Sequence, residues 1–258
     1  MAYSFDVEKV TNQCIQWIKD WFAANGNADT KAVIGISGGK DSALTGKLLV
    51  EALGKDRVVG VMLPNIVQKD LQDSQMVCKA LGIKGLTVNI GNSYSGLTEV
   101  LKTVLPDGEY SYTNYKTNTP ARIRMTTLFG ISAIIGNSFV ANTCNLSEDV
   151  MGYSTFYGDS AGCFSPLCKL TTDEVVAMGD FLGMPKEIMH KAPSDGMCGK
   201  TDEDNLGWTY HEVNEYIREN KKGPHYNQIV ERWKRNKYKV DIIQLPSFDP
   251  LLPDFSRT

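Results

Sequence analysis

No apolar run in the 258 residues approaches the ~18 needed to cross a bilayer. The opening stretch MAYSFDVEKVTNQ carries acids and no hydrophobic signal core, so no secretion signal is expected. Basic excess is also missing. Lys and Arg number 27 against 30 Asp and Glu, which argues against nucleic acid as the main partner and leaves only a local basic patch open. The six cysteines, Cys14, Cys78, Cys144, Cys163, Cys168 and Cys198, contain no CxxC pair. They are expected to be reduced thiols of a cytoplasmic protein, and Cys163 and Cys168 lack the second pair that a metal site would need. Internal repeats, low-complexity segments and dividing linkers are absent as well, so residues 1–258 are expected to form one domain. What remains is an ordinary globular composition, 42% apolar and 22% charged.

Helical spacing of Val10, Cys14, Trp17, Ile18 and Trp21 predicts a helix over 5–22. Core packing accounts for that stripe, while its two tryptophans also suit a subunit contact. Strands and helices then alternate: KAVIGIS, DSALTGKLLVEALG, RVVGVMLP, DLQDSQMVCKALG, GLTVNIG. The strands are near-continuous apolar runs, as in a parallel sheet covered on both faces. The pattern predicts an α/β fold with a doubly wound, Rossmann-like parallel sheet and right-handed crossovers. Residues 106–120 read as a polar loop, 121–136 as a helix and SFVANT as a further strand. The aperiodic stretch 143–168 reads as a functional loop. A helix over TTDEVVAMGDFLG, with capping-box spacing at Thr171 and Glu174, precedes another loop at 190–200. Two helices near 209–220 and 226–236 and an extended tail complete the chain.

The string IGISGGKDS lies between the first strand and the first following helix. Glycines there let the backbone approach a phosphate, and the helix start offers free N–H groups. A Walker loop needs GxxxxGK[ST]; here Gly35 to Gly39 is one residue short and Lys40 is followed by Asp41. A GxGxxG dinucleotide fingerprint is also missing. A tight turn with no ligand stays open on the glycines alone.

SGGKDS resembles the SGGxDS loop of the ATP pyrophosphatases, whose fold is of the adenine nucleotide alpha hydrolase type. By that resemblance, Gly35, Ile36, Ser37, Gly38, Gly39, Lys40, Asp41 and Ser42 cradle ATP, which is split between its α and β phosphates. Mg²⁺ on the leaving pyrophosphate calls for hard carboxylates, and Asp41 is the first candidate. The ordered blocks NTPARIRM, NTCNLSEDVMGY, YGD, APSDG, TDEDNLGWTY and NKYKVD narrow the likeness. Together they resemble the ammonia-dependent NAD synthetases over nearly the whole chain. The resemblance implies amidation of deamido-NAD by ammonia through an adenylated intermediate. It implies Glu148 as second Mg²⁺ ligand and a catalytic set of Asp41, Glu148 and Lys40. Thr143 and Ser194 would contact ATP, and Arg122, Asp159, Tyr238 and Lys239 would bind deamido-NAD. A homodimer is implied, with the tryptophan-bearing helix and RIRMTTLFGISAII as candidate contacts.

Several positions depart from the family pattern. Phe156 and Thr172 stand where lysines are expected, Cys163 where an Asp is expected, and Tyr238-Lys239 where His-Lys is usual. Lys169 or Lys200 could replace part of the lost positive charge. Only one helix precedes the first strand, so no fused glutaminase domain is expected and free ammonia is the nitrogen donor unless a separate glutaminase docks. The loops at 143–168 and 190–200 are expected to close over the adenylate. The rivals are another ATP pyrophosphatase ligase, GMP synthetase-like or tRNA-thiolating, and a nucleotide-binding regulator that has lost catalysis.

Overall fold

The computed structural model describes residues 3–66, 71–191 and 202–257. Four short strands form one parallel sheet: β1 (Lys31–Gly35), β2 (Val58–Met62), β3 (Gly85–Thr87) and β4 (Ser138–Val140), in the order β3-β2-β1-β4. Ala32 pairs with Val58 on one side and with Phe139 on the other, so β1 is central. Its Ala32, Val33 and Ile34 are fully buried, as a strand covered on both faces requires. The doubly wound α/β expectation therefore holds.

One face carries α1 (Val7–Asn25), α2 (Lys40–Leu53), α3 (Leu71–Leu81) and α7 (Thr172–Phe181). Asp6 caps α1 by accepting from the Lys9 N–H. Val10, Cys14, Ile18 and Phe22 are its buried stripe. Trp21 stacks on Phe164 with centroids 4.7 Å apart and meets Phe139 edge-on at 5.0 Å, while Trp17 lies 6.3 Å from Phe248. Packing within the chain thus accounts for both tryptophans. The capping box at Thr171 and Glu174 is present.

The opposite face is covered by α5 (Thr113–Ile135), beside which lies α4 (Gly91–Val104). Both differ from expectation. In α4 only Gly91 is buried; its apolar Leu97, Val100 and Val104, at helical spacing, are exposed. The loop expected at 106–120 ends early: α5 begins at Thr113 and runs through Pro120, so that only 106–112 remain outside a helix. A proline removes one backbone donor but leaves the flanking ladder usable. Within the loop expected at 143–168 lies another short helix, α6 (Leu146–Met151). Asn145 caps it, and Gly152, at φ +68°, closes it in the left-handed region.

The short helices α8 (Lys186–Met189) and α9 (Asp202–Leu206) are followed by α10 (Tyr210–Glu219) and α11 (Tyr226–Ile242). Leu146, Val150 and Met151 of α6 pack with Tyr210, Val213, Ile217, Ile229 and Trp233 in a second core, against which Trp208 also lies. A buried ion pair anchors this layer to α7. Arg218 Nε and Nη2 donate to Glu174 at 2.7 and 2.8 Å, and the same guanidinium holds the carbonyls of Lys169 and Pro253.

Candidate active site

In the order β3-β2-β1-β4 the chain winds to one side from β1 and later returns to the other. The carboxyl ends of β1 and β4 therefore flank the switch point, where parallel sheets open a crevice for ligands. Two loops meet there, one at 36–39 after β1 and one at 141–145 after β4.

The first loop folds on its own hydroxyls. Ser37 Oγ accepts from the Gly39 N–H at 3.2 Å, and Ser42 Oγ accepts from the Ser37 N–H at 3.2 Å and donates to the Gly39 carbonyl at 3.1 Å. Gly38 sits at φ +83°, and a Cβ there would lie 2.7 Å from Asp73 Cβ and 2.9 Å from the Ser74 nitrogen. Glycine is thus required at Gly38 by both conformation and space. The loop delivers Lys40 and Asp41 to the first turn of α2.

The second loop delivers Glu148 on α6, and Asn145 joins the halves. Its Nδ2 donates to Asp41 Oδ1 at 2.8 Å, while its Oδ1 accepts from the Glu148 N–H at 3.0 Å and from Thr172 Oγ1 at 3.4 Å. Lys40 Nζ lies between the two acids, 2.9 Å from Asp41 Oδ2 and 3.5 Å from Glu148 Oε1. Burial pushes Glu148 up to about 8; the nearby Asp41 adds to this and Lys40 opposes it. Burial also works against the Lys40 charge, but the two carboxylates outweigh it and hold the ammonium above its ordinary range. The Tyr210 hydroxyl, in the same charged neighbourhood, is buried without a hydrogen-bond partner among the described residues.

Lys40, Asp41 and Glu148 border a cavity of about 410 Å³. Gly35, Ile36, Ser37, Gly39, Lys40, Asp41, Ser42, Thr143, Glu148 and Asp159 line it, so the structure gathers most of the expected site residues. Gly38 stands behind the loop against Asp73. Asp159 has a further duty: its Oδ1 accepts from the Thr155 N–H at 2.9 Å, and burial raises its pKa. Arg122, Tyr238 and Lys239 are not among the lining residues. Arg122 is exposed and donates to the Phe156 carbonyl at 3.1 Å; Tyr238 is 54% exposed. Lys239 donates to the carbonyls of Gly152 and Ser154, both at 2.9 Å, and borders a separate cavity of about 290 Å³. Ser194, Lys200, Cys198 and the 190–200 loop lie outside the described residues, apart from the loop's first two positions.

Two lining residues, Arg124 and Asp202, and one buried support behind the lining, Asn145, were missed in the sequence. Arg124, not Arg122, faces the cavity, with its Nε 3.0 Å from the Leu63 carbonyl; burial lowers its pKa. The signal was present. Ala121, Arg124, Met125 and Leu128 follow helical i, i+3, i+4, i+7 spacing, which puts Arg124 on the apolar face and Arg122 away from it. Asn145 could have been read from its capping distance to Glu148. Asp202 borders the cavity from the start of α9.

Three of the four departures from the expected pattern make contacts within the fold. The Phe156 ring contacts Tyr157 at 4.1 Å, and the Cys163 N–H donates to the Val140 carbonyl at 2.7 Å. Thr172 is buried and supports Asn145. Lys169 pairs with Asp249 at 2.7 Å, outside the main cavity.

Known proteins resemble this chain in sequence and fold. The NAD synthase family profile matches residues 10–245. The NH(3)-dependent NAD(+) synthetase of Methanococcoides burtonii is 40% identical over 190 residues, covering 72% of this chain and 70% of that protein. Among solved structures, the NMN synthetase of Francisella tularensis superposes with a TM-score of 0.82 at 30% identity, covering 95% of this chain and 100% of that one. The NH3-dependent NAD synthetase of Campylobacter jejuni gives 0.72 at 24% identity, covering 94% and 99%. With a family match from the first helix to the tail and the acids of both loops meeting at the switch point, this chain belongs to the NAD synthase family.

Proposed function

We propose that the chain amidates the nicotinate carboxyl of deamido-NAD with ammonia, splitting ATP to AMP and pyrophosphate. The observation that carries this reading is the meeting of Lys40, Asp41 and Glu148 beside the glycine loop. A carboxylate oxygen attacks the α-phosphate, the bond to the β-phosphate breaks and pyrophosphate leaves. Ammonia then attacks the acyl carbon, loses a proton, and AMP departs with the C–O bonding pair.

The loop N–H groups and the start of α2 suit the leaving phosphates. The acid pair passes a simple test as a Mg²⁺ site, because hard oxygens from two loops already converge on one cation, the Lys40 ammonium. Asp41 and Glu148 would hold Mg²⁺, which supplies charge neutralisation to the departing pyrophosphate. Asn145 orients Asp41, and Arg124 places a fixed cation in the cavity. We assign ATP contacts to Thr143 and Ser194 and deamido-NAD contacts to Asp159, Arg122, Tyr238 and Lys239, the last three reached from outside the main cavity.

We read the chain as one catalytic unit, since α6 both carries Glu148 and anchors the second core. Its five described cysteines are free thiols and no described helix is long and apolar enough to cross a membrane, which fits a cytoplasmic enzyme. A homodimer through α4 and α5 would cover Leu97, Val100, Val104, Phe129 and Ile134, all exposed in one copy. Free ammonia serves as the nitrogen donor, with a separate glutaminase as the alternative source.

A second reading has one observation in its favour, the higher structural similarity to the Francisella NMN synthetase. On that reading the acceptor is the mononucleotide, which shares the amidated carboxyl and lacks the AMP half. Incubation with ATP, Mg²⁺, ammonium and either acceptor, followed by chromatography of AMP, NAD and NMN, separates the two. Formation of neither amide would overturn both readings, and Asp41→Ala is expected to lower turnover on the order of a thousandfold.

A further inference from the structure

Lys40 stands where a lysine is hard to accommodate. Its side chain is only 6% exposed. It is the first residue of α2, where the helix dipole repels a cation. The favourable terms opposing these costs are Asp41 Oδ2 at 2.9 Å and Glu148 Oε1 at 3.5 Å. A buried ammonium is stable only with such partners. These are the same two carboxyl groups assigned above to Mg²⁺, and the ammonium between them offsets negative charge that would otherwise attract a divalent cation. Lys40 also borders the cavity next to Gly39 and Ser42, within the loop assigned to the ATP phosphates.

We propose that Lys40 is an internal counter-ion that keeps the Asp41–Glu148 pair closed to a divalent cation until the ATP phosphates draw its ammonium away, so that metal and nucleotide load together. The inference rests on the reading of Asp41 and Glu148 as metal ligands. Polyphosphate gives the lysine replacement partners of like charge to the ones it leaves. Its departure removes a positive charge from the carboxylates at the same moment that phosphate oxygens arrive beside them. Nucleotide-free protein is then a poor metal binder, although its ligands are already in place.

Mn²⁺ provides the probe, read as loss of the free-ion electron paramagnetic resonance signal on titration into the full chain without nucleotide. Lys40→Met is expected to bind Mn²⁺ tighter than the parent protein by at least about tenfold, because a like charge a few Å away has been removed. Equal or weaker binding by a folded Lys40→Met protein would overturn the proposal. Should that variant fail to fold, the parent protein carries the test alone. Its thermal midpoint should rise with Mn²⁺ plus α,β-methylene-ATP by more than the two separate shifts added together. Additive shifts, or a full shift with Mn²⁺ alone, would overturn the counter-ion role while leaving the metal assignment standing. No response to Mn²⁺ even with the analogue would instead remove the metal assignment, and this inference with it.

Discussion

Asn145 Nδ2 donates to Asp41 Oδ1 at 2.8 Å across 104 residues of chain, while its own Oδ1 caps the helix that carries Glu148. One amide therefore sets the position of both acids. Asn145→Ala is expected to lower kcat roughly 10–100-fold, the usual cost of removing a group that orients a ligand. Far-UV circular dichroism should change little. Asn145→Asp keeps the cap but places a carboxylate against Asp41, so it should not rescue the rate. Full activity in either variant would show that the bridge is not needed.

The two arginines of RIR should separate in binding experiments. Arg124→Ala removes the cation that faces the cavity and is expected to weaken nucleotide or acceptor binding by about tenfold or more, as loss of a charged hydrogen bond does. Arg122→Ala loses one exposed bond to the Phe156 carbonyl. If it serves only that contact, its effect on stability stays within about 0.5 kcal/mol. A large rise in KM for the acceptor in Arg122→Ala alone would favour the outer route to deamido-NAD.

Glu148 makes the metal- and nucleotide-free protein sensitive to pH. Its pKa rises from the ordinary 4.5 to about 8 in the folded chain, chiefly through burial. The folded state thus binds this proton more tightly than the unfolded state between those values. Stability from this group is present below 4.5 and is lost as pH rises toward 8. Denaturant titrations across that range should show a falling contribution that Glu148→Gln abolishes. An unchanged slope in the variant would contradict the assignment.

Arg218→Met breaks the pair with Glu174, both side chains being almost fully buried. The uncompensated carboxylate should cost about 3–5 kcal/mol. Because Arg218 also holds the Lys169 and Pro253 carbonyls, the tail should become the first segment to exchange amide hydrogens. The double variant Arg218→Met/Glu174→Gln should recover part of the loss.

Much of the fold was legible because the buried strands are unbroken apolar runs and α2, α3 and α7 end or begin at recognisable caps. Helices α4 and α6 escaped for opposite reasons. Leu97, Val100, Leu101 and Val104 of α4 do recur at helical spacing, a signal present although that face does not pack on the core, while α6 is six residues long and too brief to show a period. Pro120 concealed the first turns of α5, because a proline reads as a boundary unless packing holds the helix on both sides. In the site, the motifs and the resemblance they carry named Asp41 and Glu148, and both border the cavity. The pairing of Lys40 with Glu148 was not legible, since only the folded chain brings the second carboxylate to it. The Lys239 contacts likewise depend on α11 lying against the segment after α6, a relationship that no local pattern records.

The four tryptophans divide evenly between the two cores. Trp17 and Trp21 lie against the sheet-side cluster, and Trp208 and Trp233 belong to the cluster around α6, α10 and α11. The molecule therefore carries a matched pair of optical reporters. Single-tryptophan variants would light one layer at a time, so emission during unfolding or ligand addition could tell whether the half bearing Glu148 moves with the sheet or ahead of it.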